Sequence, residues 1–260
     1  MTDADLQTLI GSAPAWAFAS VLVVSRLGSV CMLLPGLGEA EVPMNIRAGM
    51  AFLLTILLLP LLAPALPAMP DSPALLMGWI GGEILIGIWI GWLARLPMLA
   101  LPIAAQFAAG ALGFSNVLQP DLLWGPQSSA LSRLFSLAAP VLLLTSGLYI
   151  MPLAALVTSY RIFVPGVWLA GGDLASIVVA AVSESFALSL QLGGPFVAAG
   201  IVWQIGLGVV ARLVPQLQVY FAAMPGLIMG GLVLLALLSA GMLAGWEASI
   251  ATISPFSGMR

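Results

Sequence analysis

The fold turns on one stretch near the C-terminal end: Gly208-Val-Val-Ala-Arg212-Leu-Val-Pro215-Gln216-Leu-Gln218-Val-Tyr220-Phe-Ala-Ala-Met-Pro225. No charged residue lies between Ser185 and Ala211, nor between Leu213 and Trp246, so Arg212 is the only ion in that region. Pro215 stops a helix, because proline lacks the N–H and its ring clashes with the preceding turn. Gln216 and Gln218 then present amides at the bend. The stretch reads as an elbow between two long apolar helices. Its cation and amides cost free energy in apolar surroundings unless a partner surface pairs with them.

Composition extends that reading to the whole chain. Of 260 residues, 62% are hydrophobic and 7% charged, with a mean hydropathy of +1.15. A soluble domain carries about 25% charged residues. There is too little polar surface here to cover a water-soluble globule, so the chain is of the membrane class. It has no lysine, and its seven arginines are scattered, which argues against nucleic acid as a partner. Cys31 is the sole cysteine, so no internal disulfide can form. The first residues, Thr2-Asp3-Ala4-Asp5, are acidic and lack the basic start of a signal peptide, so the first apolar segment is expected to be retained.

A spanning helix needs about 20 mostly apolar residues. Ala13–Leu34, Ala48–Leu66, Leu75–Leu96 and Leu134–Leu156 qualify. Ile177–Leu192 is marginal, and Phe196–Val214 with Phe221–Leu243 forms a final hairpin. Pro97 and Pro102 are expected to break or kink the chain after the third segment, and Gly193-Gly194-Pro195 to break it again. Within Ile177–Leu192, the positions Ser176, Ala180, Ser183, Glu184, Ala187 and Gln191 recur as one small, polar face. The count is six to seven long apolar helices. The fold class is therefore all-α, built of polytopic membrane-type helical hairpins.

The chemical inventory points away from an enzyme. Without histidine, the commonest general base and metal ligand are missing. One cysteine and scattered carboxylates make no zinc or iron site, and no phosphate-binding loop or nucleophile elbow occurs. No catalytic, cofactor-binding or metal residues are therefore assigned, and no cofactor is expected. Glu83 is the sharpest single residue. Glu83, Gly87, Gly91 and Arg95 fall on one ridge of a helix, where glycines let another backbone come close. An intramembrane carboxylate is costly and is a functional suspect by default. It reads either as a proton or cation site, or as a carboxylate hydrogen-bonded across a helix contact. The second is preferred, because no second buried acid lies near it in sequence. Arg26, Arg95 and Arg212 read as substrate contacts or as packing elements that cap carbonyls. For Arg95 and Arg212, each taken to end a helix just before a proline, capping is preferred. Gly200, Gln204, Gly208 and Arg212 form a comparable ridge that could serve the hairpin itself or a second subunit.

The longest non-helical region is about Gly113–Gln127, broken by Gly113, Asn116, Pro120, Gly125 and Pro126. Its apolar members, among them Phe114, Val117 and Leu118, are too many for a freely solvated loop. They must rest on something apolar: the lining of a closed pore, or the chain's own helices.

Taken in order, these pieces resemble one family. They are Arg26 with Pro35, Glu41-Val-Pro43 and Arg47; Glu83-Ile-Leu-Ile-Gly87 with Gly91; and Ala105-Gln106 and Leu112-Gly113 leading to Pro120. They continue with Ser159-Tyr-Arg-Ile-Phe-Val-Pro165-Gly166, then Gly208-x-x-x-Arg212-x-x-Pro215-Gln216-Leu-Gln218-Val-Tyr-Phe, Pro225 and Gly230. Over nearly its full length the chain resembles the FliR proteins of flagellar export and their counterparts in virulence-type type III secretion. It departs from the family at Gln218, where asparagine is usual, at Leu227, where lysine is usual, and at Gln119, where aspartate is usual.

The resemblance implies a non-enzymatic role in an export gate built with FliP-type and FliQ-type subunits, through which unfolded flagellar proteins pass. It implies FlhA- and FlhB-type export proteins as further partners, and the bacterial inner membrane and flagellar basal body as location. It also implies one export-gate domain, residues 1–192 FliP-like and 193–260 a FliQ-like hairpin. Some apolar helices would lie in the assembled ring above the bilayer. A pore plug would map to about Gly110–Gln127, with Gly113, Phe114, Asn116, Val117, Leu118 and Pro120. Glu83, Gly87, Gly91, Arg95, Gly208, Arg212, Pro215, Gln216 and Gln218 stand as candidate helix or subunit contacts. Two other readings stay open: a stand-alone membrane transporter or channel with Glu83 as its ion-coupling site, and the equivalent subunit of a virulence system.

Overall fold

A computed structural model describes residues 3–113, 129–166, 171–213 and 219–252. Among them there are seven α-helices and no strand: α1 (Asp3–Leu33), α2 (Met44–Leu62), α3 (Pro73–Ala111), α4 (Ala130–Thr145), α5 (Ile150–Ile162), α6 (Gly171–Leu213) and α7 (Val219–Thr252). The all-α, polytopic membrane-type fold is what the structure shows. Among the described residues, five helices are long and apolar enough to cross a membrane. A sixth crossing arises only if α4 and α5 are taken together.

The element boundaries correct several sequence expectations. Pro97 and Pro102 do not end the third segment, for α3 runs unbroken through both. Gly193-Gly194-Pro195 does not break α6, which continues for 43 residues. Conversely, the expected single segment Leu134–Leu156 is two helices, α4 and α5. The break lies at Gly147, whose φ of 77° suits a residue without Cβ.

The chain divides into two compact units. The first holds α1, α2, α3 as far as Arg95, α5, and α6 as far as Val178. Its core is Val23, Leu27, Val30, Ile86, Ile90, Leu156, Tyr160 and Phe163. A turn at 34–43 joins α1 to α2. Gly38 lies so close to the end of α1 that a Cβ there would stand 2.6 Å from the Met32 carbonyl oxygen.

The second unit holds α3 from Leu96, α4, α6 from Val179, and α7. Its core is rich in small residues on α3, Ala100, Ala105, Ala108 and Ala109, packed with Phe135, Phe196 and Trp246. Small residues let backbones approach where lipid offers no hydrophobic drive to bring helices together. A Cβ on Gly193 would meet Phe107 at 3.2 Å, and one on Gly200 would stand 2.6 Å from the Ala111 carbonyl oxygen. Gly193 thus serves close approach of α6 to α3. Ala181, Ser185, Leu188 and Ser189 make the buried side of α6, whereas Ser176, Ala180, Ser183, Glu184, Ala187 and Gln191 are exposed.

Candidate functional site

Arg26 on α1 and Glu83 on α3 each put an ionic group inside an apolar helix, where an unpaired charge is expensive. The ridge of α3 brings them together. Gly87 and Gly91 follow Glu83 at helical spacing and carry no side chain to hold α1 away. A Cβ on Gly87 would stand 2.5 Å from the Arg26 carbonyl oxygen, and one on Gly91 2.8 Å from the Leu33 Cβ. With the backbones this close, the Arg26 side chain reaches directly to Glu83. Its Nε donates to Glu83 Oε2 at 2.6 Å and its Nη2 to Oε1 at 2.9 Å. This paired fork is the strongest arrangement available to an arginine and a carboxylate.

The remaining donors of Arg26 turn to α5. Nη2 also donates to the Phe163 carbonyl oxygen at 2.8 Å, and Nη1 to Ser159 Oγ at 3.3 Å. The guanidinium lies 4.0 Å from the centre of the Tyr160 ring, a favourable cation–π geometry. The Tyr160 hydroxyl donates to the Val23 carbonyl oxygen at 3.5 Å. Arg26 is wholly buried and Glu83 is 1% exposed. The arrangement is a closed, neutral ion pair that ties α1, α3 and α5 together. Both carboxylate oxygens of Glu83 accept from Arg26, whose positive charge beside them opposes a travelling cation.

Arg95 requires a correction. It does not end a helix, since α3 continues for 16 residues beyond it. Instead of capping, it reaches sideways to the 34–43 turn, with Nη2 donating to Glu39 Oε2 at 2.9 Å and Nη1 to the Gly38 carbonyl at 3.4 Å. Arg47 holds the same turn through the carbonyls of Val42, at 3.0 Å, and Glu39.

Gly113 closes the described part of α3 with a φ of 75°, its α-carbon facing the Leu227 side chain of α7. Phe114, Asn116, Val117, Leu118 and Pro120, the rest of the candidate plug, lie outside the described residues, as do Pro215, Gln216 and Gln218 of the elbow. Arg212 is exposed in the last turn of α6. Gly208 is exposed, and a Cβ on it would meet nothing within 4 Å. The structure thus gathers Glu83, Gly87 and Gly91 against α1, turns Arg95 to a separate ion pair, and leaves Gly208 and Arg212 open. The sequence reading missed Ser159, Tyr160 and Phe163 as partners of Arg26. The run Ser159-Tyr-Arg-Ile-Phe-Val-Pro165-Gly166, a turn-forming end to an apolar helix, was the available signal.

Residues 17–253 match the family described as bacterial export proteins, family 1. The flagellar biosynthetic protein FliR of Caulobacter vibrioides is 31% identical over 231 residues, covering 88% of this chain and 91% of that protein. The flagellar biosynthetic protein FliR of Bacillus subtilis is 27% identical over 212 residues, 80% of each chain. The Yop proteins translocation protein T of Yersinia pestis is 27% identical over 172 residues, 61% of this chain and 64% of that protein.

Proposed function

Because the chain belongs to the FliR family of bacterial export proteins, we propose that it is a component of the flagellar type III export apparatus. In this reading it is a multi-pass protein of the inner membrane, at the flagellar basal body. It assembles with FliP-type and FliQ-type subunits into the gate through which unfolded flagellar proteins leave, next to FlhA- and FlhB-type export proteins. The observation that carries the reading is the 31% identity with a flagellar relative over nearly the whole of both chains. The similarity to a virulence relative is lower and shorter, which favours the flagellar system.

The geometry supports an assembled rather than a solitary protein. At a rise of 1.5 Å per residue, α6 is about 64 Å long, against a bilayer core of about 30 Å. Most of its surface is apolar and uncovered, with Val202, Ile205 and Val209 all exposed. An apolar groove of about 640 Å³ runs along it from Ala198 to Val210. Surface of that kind beyond the bilayer has to meet protein. The stand-alone transporter reading draws no support from Glu83, whose carboxylate is bound on both oxygens by Arg26.

The test is a deletion strain assayed for motility and for secreted hook and filament protein. Loss of both is expected; normal secretion in the deletion strain would sink the flagellar reading. The region Gly113–Gln127 is assigned as the plug of the closed gate, on its apolar composition. Deleting Phe114–Leu118 is expected to leave the assembled complex intact and to let small ions leak, read as conductance or as growth inhibition by salt. Loss of assembly without a leak would make the loop structural.

A further inference from the structure

We propose that Arg26 is a positioning residue. It fixes the Phe163–Gly166 turn against α1 and α3, and so sets where α6 starts. Phe163 is where α5 stops being helical, with φ −106° and ψ 80°. Its N–H still closes the last helical turn on the Ser159 carbonyl at 2.8 Å. Its own carbonyl has left the helix and takes the Arg26 Nη2. Glu83 holds the guanidinium plane by binding two of its nitrogens, so the third contact is aimed and not merely available.

Two further contacts hold the turn. The Phe163 ring stands edge-on to Trp89 of α3, 5.5 Å between centroids at 84°. Gly166, at φ 85°, lies against Trp79 of the same helix, where a Cβ would meet the indole at 3.0 Å. α6 begins at Gly171, five positions after Gly166. The grip on the turn therefore limits where the longest described helix can begin. A buried pair that only stabilised could be replaced by apolar residues of similar size without loss. A pair that aims a turn cannot, because the Phe163 carbonyl would lose its donor.

The test is a double-mutant cycle on the purified full-length chain in detergent, read as thermal midpoints. It compares Arg26→Met with Glu83→Leu, Gly166→Ala, and the triple variant. Residues that act on one turn are coupled, whereas independent sites add. The triple variant is expected to lose clearly less than the sum of the two changes. Additive losses would overturn the proposal. Should the apolar double variant not accumulate, the same cycle is run with Arg26→Lys. That change keeps the charge beside Glu83, but a single ammonium lacks the planar fork that serves Glu83 and the Phe163 carbonyl together. In cells, Arg26→Lys is expected to leave the membrane-embedded amount unchanged while filament-protein secretion falls about tenfold, the shift that one hydrogen bond to a charged group commands. Secretion at the parent level would equally overturn it. The secretion readout rests on the export reading; the coupling in the purified chain does not, so the two can fail separately.

Discussion

At the scale of the residue, glycines with similar sequence settings meet different surroundings. Gly87 of α3 lies against α1, and any side chain there collides with the Arg26 backbone. Overpacking of this kind costs about 1–3 kcal/mol. Gly208 faces open space within the chain. Gly87→Leu is therefore expected to lower the thermal midpoint of the purified chain and the recovery of FliP-type subunits, while membrane partition survives because leucine is apolar. Gly208→Leu is expected to leave the midpoint alone and to lower recovery of partner subunits only. Equal midpoints for both variants would show that the α1–α3 contact is looser than the structure has it. Glu83 was legible as a costly acid. Its partner was not, because Arg26 lies 57 positions earlier and no local pattern links them.

At the scale of the element, the prolines were visible, and of the expected break or kink the break does not occur. Proline removes an N–H and strains a helix, yet α3 passes through Pro97 and Pro102. Carbonyls on the strained stretch find side-chain donors from other helices: Ser185 Oγ to Leu96 at 2.6 Å, Trp246 Nε1 to Pro97 at 3.2 Å, and Ser132 Oγ to Pro102 at 2.9 Å. The carbonyls that Pro97 and Pro102 free are those of Leu93 and Met98, four positions earlier, so these donors fasten α3 to α4, α6 and α7. They come from residues 30 to 149 positions away, beyond the reach of turn composition. Trp246→Phe keeps the ring and removes one donor. It is expected to lower stability by about 1 kcal/mol, seen as a small fall in the thermal midpoint in detergent; no change would mean that the Pro97 carbonyl does not depend on the indole. The opposite misreading, one segment over Leu134–Leu156, arose because a single Gly147 in an apolar run gives little warning of a left-handed residue.

At the scale of the whole molecule, the long exposed faces of α6 and α7 are expected to make the isolated chain a poor monomer. Produced by itself and purified in mild detergent, it is expected to self-associate into a broad distribution. Produced with FliP-type and FliQ-type subunits, it is expected to run as one discrete complex in size-exclusion chromatography with light scattering. A monodisperse monomer indifferent to those subunits would contradict the assembled reading. The all-α membrane class was legible because composition alone decides it; the partner faces were not, since hydropathy records avoidance of water and not what replaces it. The buried pair of Arg26 and Glu83 has one more effect. A bacterial membrane holds a standing voltage, and a charge carried across 100 mV is worth about 2.3 kcal/mol. Because the two side chains sum to zero and sit 2.6 Å apart, such a voltage would find almost no gating charge in them and little force to draw α1 along α3. Neutralising Glu83 alone would leave Arg26 as a lone cation buried among the helices.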